Sequence, residues 1–108
     1  MNDVQYAVAM KVAYCANQKD HRCSIDPATL LIIANIMVNV VRLLYVCFFT
    51  EDAVAKTVKN PGRIQKYLLY REVKKNFPSE KRKTIYESLL SVCEDLSDEE
   101  LKGLITIA

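Results

Sequence analysis

The chain has 108 residues, of which 51% are hydrophobic and 26% charged, with 2 glycines, 3 prolines and a net charge of +2. That length suits one domain and is too short for two, and the apolar content excludes a disordered or low-complexity chain. The near-balanced charge does not mark a polyanion-binding protein, so any electrostatic function must come from where the charges sit.

In chain order, Asp3 to about Gln18 reads as a helix: it lacks Gly and Pro, and Tyr6, Met10, Ala13 and Cys15 or Asn17 recur at a rough helical spacing. The polar residues 18–26 form a first loop. Asp26-Pro27 then opens a long helix to Phe49, with Asp26 capping free amides and Pro27 at a position whose N–H is not needed.

This segment is almost wholly apolar from Ala28 to Phe49. Asn35, Asn39 and Arg42 fall at i, i+4 and i+7, one polar stripe about 60° wide. Leu30, Ile33, Met37, Val40, Leu44 and Phe48 form the opposite face, the expected core. The run is long enough for a membrane span. However, Arg42 within it would cost about 2.5–3.5 kcal/mol on insertion scales, and no basic flank brackets it. The β-branched and aromatic residues of 38–49 leave a buried strand pair as an alternative. An apolar run of about 20 residues nevertheless exceeds ordinary strands. The expectation is therefore a core helix, with membrane association disfavoured. Its stripe either faces water or contacts another copy, where paired Asn side chains can set register.

Thr50-Glu51-Asp52 starts a short helix to Val58, either separate or a bent continuation of the long one. Asn60 is expected to cap the next helix with Pro61 just inside it, running to Asn76. Phe77-Pro78-Ser79 interrupts, and a further helix covers Glu80 to Leu96 with Ile85, Leu89, Val92, Cys93 and Leu96 on one stripe. Ser97 followed by Glu100 has the spacing of a capping box and opens a last helix. The fold class is all-α: a single compact bundle of five or six helices around the 27–49 helix.

Charge is segregated along the chain. Lys56 to Lys83 holds ten basic residues against Glu72 and Glu80, a net +8, whereas Thr84 to Ala108 carries a net −5. Arg63, Lys66, Tyr67, Tyr70 and Lys74 share one helical face, and Lys75, Lys81, Arg82 and Lys83 carry the charge past the turn. Cations can neutralise phosphates and tyrosines can stack on bases, and two helices joined by a short turn echo a helix-turn-helix. Against nucleic acid, the second helix turns acidic beyond Glu87, and tyrosines more often seat in a core. An acidic protein partner fits as well, including the acidic tail of a second copy.

Catalytic and metal chemistry find little support. Cys15, Cys23, Cys47 and Cys93 match no zinc spacing, and the lone His21 lies in a loop with no fixed partner. Cys47 and Cys93 lie in apolar runs, where thiols act as small core residues. A Cys15–Cys23 bridge is the oxidised alternative to reduced thiols in a cytoplasmic protein. The first apolar stretch lacks the basic leader of a signal peptide. Two glycines make no phosphate loop. The expected protein is a non-enzymatic assembly or interaction module without cofactor, a homo-oligomer contacting partners through Asn35, Asn39 and Arg42. The basic 61–83 region is kept for an acidic protein or, alternatively, nucleic acid.

Overall fold

The computed structural model describes residues 3–107, and these form six helices and no strand. They are α1 (Asp3–Lys19), α2 (Pro27–Phe48), α3 (Glu51–Lys59), α4 (Arg63–Asn76), α5 (Ser79–Asp95) and α6 (Asp98–Ile107). The strand pair over 38–49 is absent, and α2 is one continuous rod.

Local chemistry explains most of the boundaries. Asp26 Oδ1 accepts from the Thr29 amide at 2.7 Å and Pro27 takes the first helical position. α2 stops one residue short of expectation, because Phe49 adopts a left-handed conformation (φ 66°) and donates its N–H to Tyr45 O at 2.9 Å. This reversal makes α3 a separate helix, capped by Thr50 Oγ1 accepting from Ala53 N at 3.2 Å. The Ser97–Glu100 capping box is complete: Glu100 N donates to Ser97 Oγ at 3.1 Å and Ser97 N to Glu100 Oε1 at 3.0 Å.

The 60–62 region departs from expectation. Asn60 closes α3 instead of opening α4, its N–H donating to Lys56 O at 3.0 Å, and Gly62 precedes α4. Pro61 acts here as a stop: the ring disfavours helical backbone in the residue before it. α5 begins at Ser79, behind Pro78, with Arg82 Nε donating to Phe77 O at 3.0 Å across the turn.

α1, α2, α4 and α5 close a ring in which α1 and α4 each pack on both α2 and α5. α3 lies against α2, α5 and α6, and α6 against α1, α2 and α3. Lys19 at the close of α1 lies 4.0 Å from Glu87 within α5, while Lys11, two turns earlier, pairs with Glu100 of α6 just past the end of α5, so α1 and α5 run antiparallel. The short α1–α2 and α4–α5 connections make each of those pairs antiparallel as well. The bundle thus has two ends, one holding α3, α6 and the close of α5, the other the 20–26 loop and the 77–78 turn.

One core draws on all six helices, with Ile33, Leu44, Leu69, Ile85, Leu89 and Leu104 fully buried. Leu30, Ile33, Met37, Val40 and Leu44 are buried as expected, and Phe48 is half-buried against the same core. In α1 the spacing of Tyr6, Met10 and Ala13 does not coincide with the inward face, although Ala13 is buried and Met10 packs against the core. Val8, Ala9, Val12, Ala13 and Ala16 are buried while Tyr6 is exposed. Small side chains let α1 approach its neighbours closely, which a tyrosine ring would prevent.

Candidate interaction surface

Helix α4 presents its charge in one direction. Arg63, Lys66, Lys74 and Lys75 are exposed and Arg71 is half-buried, whereas the helix's single acid, Glu72, turns inward and is 8% exposed. The outer face is therefore cationic without relief. Tyr67 stands on it 65% exposed, with the Arg71 guanidinium 6.0 Å from its ring centroid. Tyr70 meets Tyr86 of α5 edge-on, with centroids 5.4 Å apart at 88°. That contact marks the α5 flank of α4, so Ile64, Arg71 and Lys75 lie on the opposite flank, toward α2. Arg71 Nε is buried there with no hydrogen-bond partner.

Ion pairing leaves this surface unneutralised. Among the described residues, carboxylate partners are found for Lys11, Lys19, Arg22 and Lys59. Of the ten bases between Lys56 and Lys83, Lys59 alone is paired, at 3.2 Å to Asp98. Lys83 is exposed and Lys81 and Arg82 half-buried at the start of α5, and Arg82 also holds the turn carbonyl. The structure thus brings Arg63, Lys66, Tyr67, Tyr70 and Lys74 together on one face. Lys75, Lys81, Arg82 and Lys83 lie around its far end.

Asn35, Asn39 and Arg42 are all exposed on the outer side of α2. Sequence reasoning missed the apolar side chains in line with them: Leu31, Val46 and Phe49 are exposed, Phe49 to 81%. The signal was available, since stepping three or four residues outward from the stripe in both directions lands on these positions. Half of α2's most apolar window is buried within the bundle, although its length and composition suit a membrane span.

The four cysteines are free, so the Cys15–Cys23 bridge is not formed. Burial pushes the Cys93 thiol up to about 12 and also raises Cys23, which leaves both poor nucleophiles. Cys93 is a core residue as expected, but Cys47 is exposed because its position on α2 turns away from the ring. His21 is exposed in the 20–26 loop. No three His, Cys, Asp or Glu side chains gather at a metal-binding distance among the described residues. Two adjoining shallow depressions of about 260 and 280 Å³ lie between α3 and α6, with Asp52, Ala55, Asp98 and Leu101 common to both.

Comparison of the chain with protein families, with curated proteins and with solved structures returned no match.

Proposed function

We propose that the chain is a small, non-catalytic helical interaction module that docks an acidic protein partner on the outer face of α4 and the adjoining start of α5. The observation that carries this reading is the one-way charge of α4: Arg63, Lys66, Lys74 and Lys75 are exposed with no carboxylate partner among the described residues, and its one acid points inward. Clustered like charges repel one another, and an acidic surface relieves that repulsion while gaining direction from it. Asn35, Asn39 and Arg42, exposed beside apolar Leu31 and Val46, form a second contact surface in the same proposal.

Tyr67 favours a second reading, single-stranded nucleic acid, because an exposed ring among cations is a stacking platform. Two features weigh against it: Tyr70 already meets Tyr86, and α5 turns acidic beyond Glu87. Binding to polyglutamate and to a single-stranded oligonucleotide, each at low and moderate salt, separates the two. The protein is expected to bind polyglutamate at low salt, and Arg63→Glu with Lys74→Glu should abolish that binding at unchanged helix content. Binding to neither probe, or unaltered affinity in the double variant, would end the proposal. Preferential oligonucleotide binding that drops by about 1–3 kcal/mol in Tyr67→Ala would establish the second reading instead.

A further inference from the structure

Apart from Glu80 in its first turn, helix α5 carries its terminal charges against its own dipole. Lys81 and Arg82 stand in its first turn and Lys83 follows, at the positive end, while Glu94 and Asp95 occupy its last turn, at the negative end. Each placement opposes the stability of the helix. The neighbouring sequence enlarges both clusters. Residues 74–83 hold Lys74, Lys75, Lys81, Arg82 and Lys83 against Glu80, whereas residues 94–100 hold five acids and no base. Among the described residues, Glu94, Asp95 and Glu99 have no ion-pair partner. The two clusters lie at opposite ends of the bundle; Asp20 and Asp26 of the 20–26 loop offset part of the basic one, and Lys56, Lys59 and Lys102 part of the acidic one, and the charge that remains is bipolar along the molecule.

The acidic end has a second unrelieved feature. Glu51, Asp52 and Asp98 line one depression there together with Lys102, Asp98 is paired with Lys59, and Phe49 stands two residues before Glu51. This phenylalanine is 81% exposed and is held at φ 66°, a left-handed conformation that glycine adopts without cost and a side chain resists. That conformation closes α2 through the N–H bond to Tyr45 O, but the exposed ring has no cover within the monomer. An exposed aromatic ring at this end supplies an apolar anchor for a contact.

We infer that this acidic end, with Phe49 as its apolar anchor, docks onto the basic end of a second copy, around the 77–79 turn. The inference rests on the docking role proposed above and names its partner. A polyanion would satisfy the basic end and leave the acidic end and Phe49 as they are; a second copy satisfies both. The contact is heterologous, so it propagates head to tail and does not close as a symmetric pair. The smaller dimensions of the molecule, 28 and 20 Å, give an end face of about 560 Å². That is less than the ~800 Å² per partner of a stable complex, so the assembly is weak and depends on concentration and salt.

Sedimentation across a concentration series tests it. At low salt the average mass should rise above 12.3 kDa, and at about 1 M salt, where screening is complete within ~3 Å, it should return to that value. Lys75→Glu with Lys83→Glu cancels the charge of the basic cluster, and Glu94→Lys with Asp95→Lys cancels nearly all of that of the acidic cluster. Each double variant alone should stay monomeric, and an equimolar mixture should regain association. Phe49→Gly should lose association while its fold is retained. A wild-type chain that is monomeric throughout, variants that associate as well as wild type, or a mixture that fails to associate would each overturn the inference. If the wild-type chain binds polyglutamate yet stays monomeric, docking of acidic partners stands and the second copy is ruled out as that partner.

Discussion

Glu100 shows how much one side chain can join. Its Oε1 completes the cap of α6, and its Oε2 accepts from Lys11 Nζ at 2.6 Å, linking α6 to α1 across most of the sequence. Burial raises its pKa, but the bonds from Lys11 and Ser97 outweigh that and hold the carboxyl below its usual range. A carboxylate so depressed contributes stability that is fully present above its unfolded value of 4.5 and is lost as pH falls through the folded value. Glu100→Gln, which preserves the cap, should therefore cost under about 1 kcal/mol at neutral pH, since Lys11 is half exposed. Glu100→Ala should cost about 1–2 kcal/mol. Urea titrations at neutral pH and below pH 4 should show a flatter acid slope for both variants than for wild type, and identical slopes would refute the assignment. Gly103 is constrained by space. A Cβ there would lie 2.7 and 2.8 Å from the two methyls of Val4. Gly103→Ala should lose about 1–3 kcal/mol from overpacking, more than the ~1 kcal/mol of helix propensity it gains. Adding Val4→Ala should recover part of that loss in the same denaturation assay; no recovery would show that the contact is not the cause.

At the level of elements, the charge of α5 leads to an unusual stability expectation. Glu94→Lys and Asp95→Lys place cations where the dipole favours them, so each should raise stability by about 0.3–1 kcal/mol, read as a higher melting temperature at low salt. A lower melting temperature would mean that these acids have a stabilising partner in the fold. The elements themselves were largely legible in the sequence. Asp26-Pro27, Thr50 and the Ser97–Glu100 pair mark helix starts through bonds that reach only three residues, and all three form as expected. Asn60-Pro61 was misread because the same two residues suit a helix start and a helix stop, and the deciding factor was the already formed α3 behind them. The spacing in α1 marked a helix without marking its inward side. Tyr6 and Val8 are both apolar enough to be buried, and only the close approach of α2 and α5 selects the smaller residue.

Taken whole, the molecule is a ring of four helices with α3 and α6 at one end, and its surface follows from that closure. The all-α architecture and the single rod of α2 could be read from the chain alone, because helical period and caps are set by residues a turn or two apart. The direction in which each face points could not. Glu72 turned inward, Cys47 and Phe49 turned outward, and two charge clusters at opposite ends all depend on neighbours far away in the chain. Burial is a property of packed surfaces, and a linear pattern that is apolar on nearly every side, as α2 is, carries too little contrast to say which side remains uncovered.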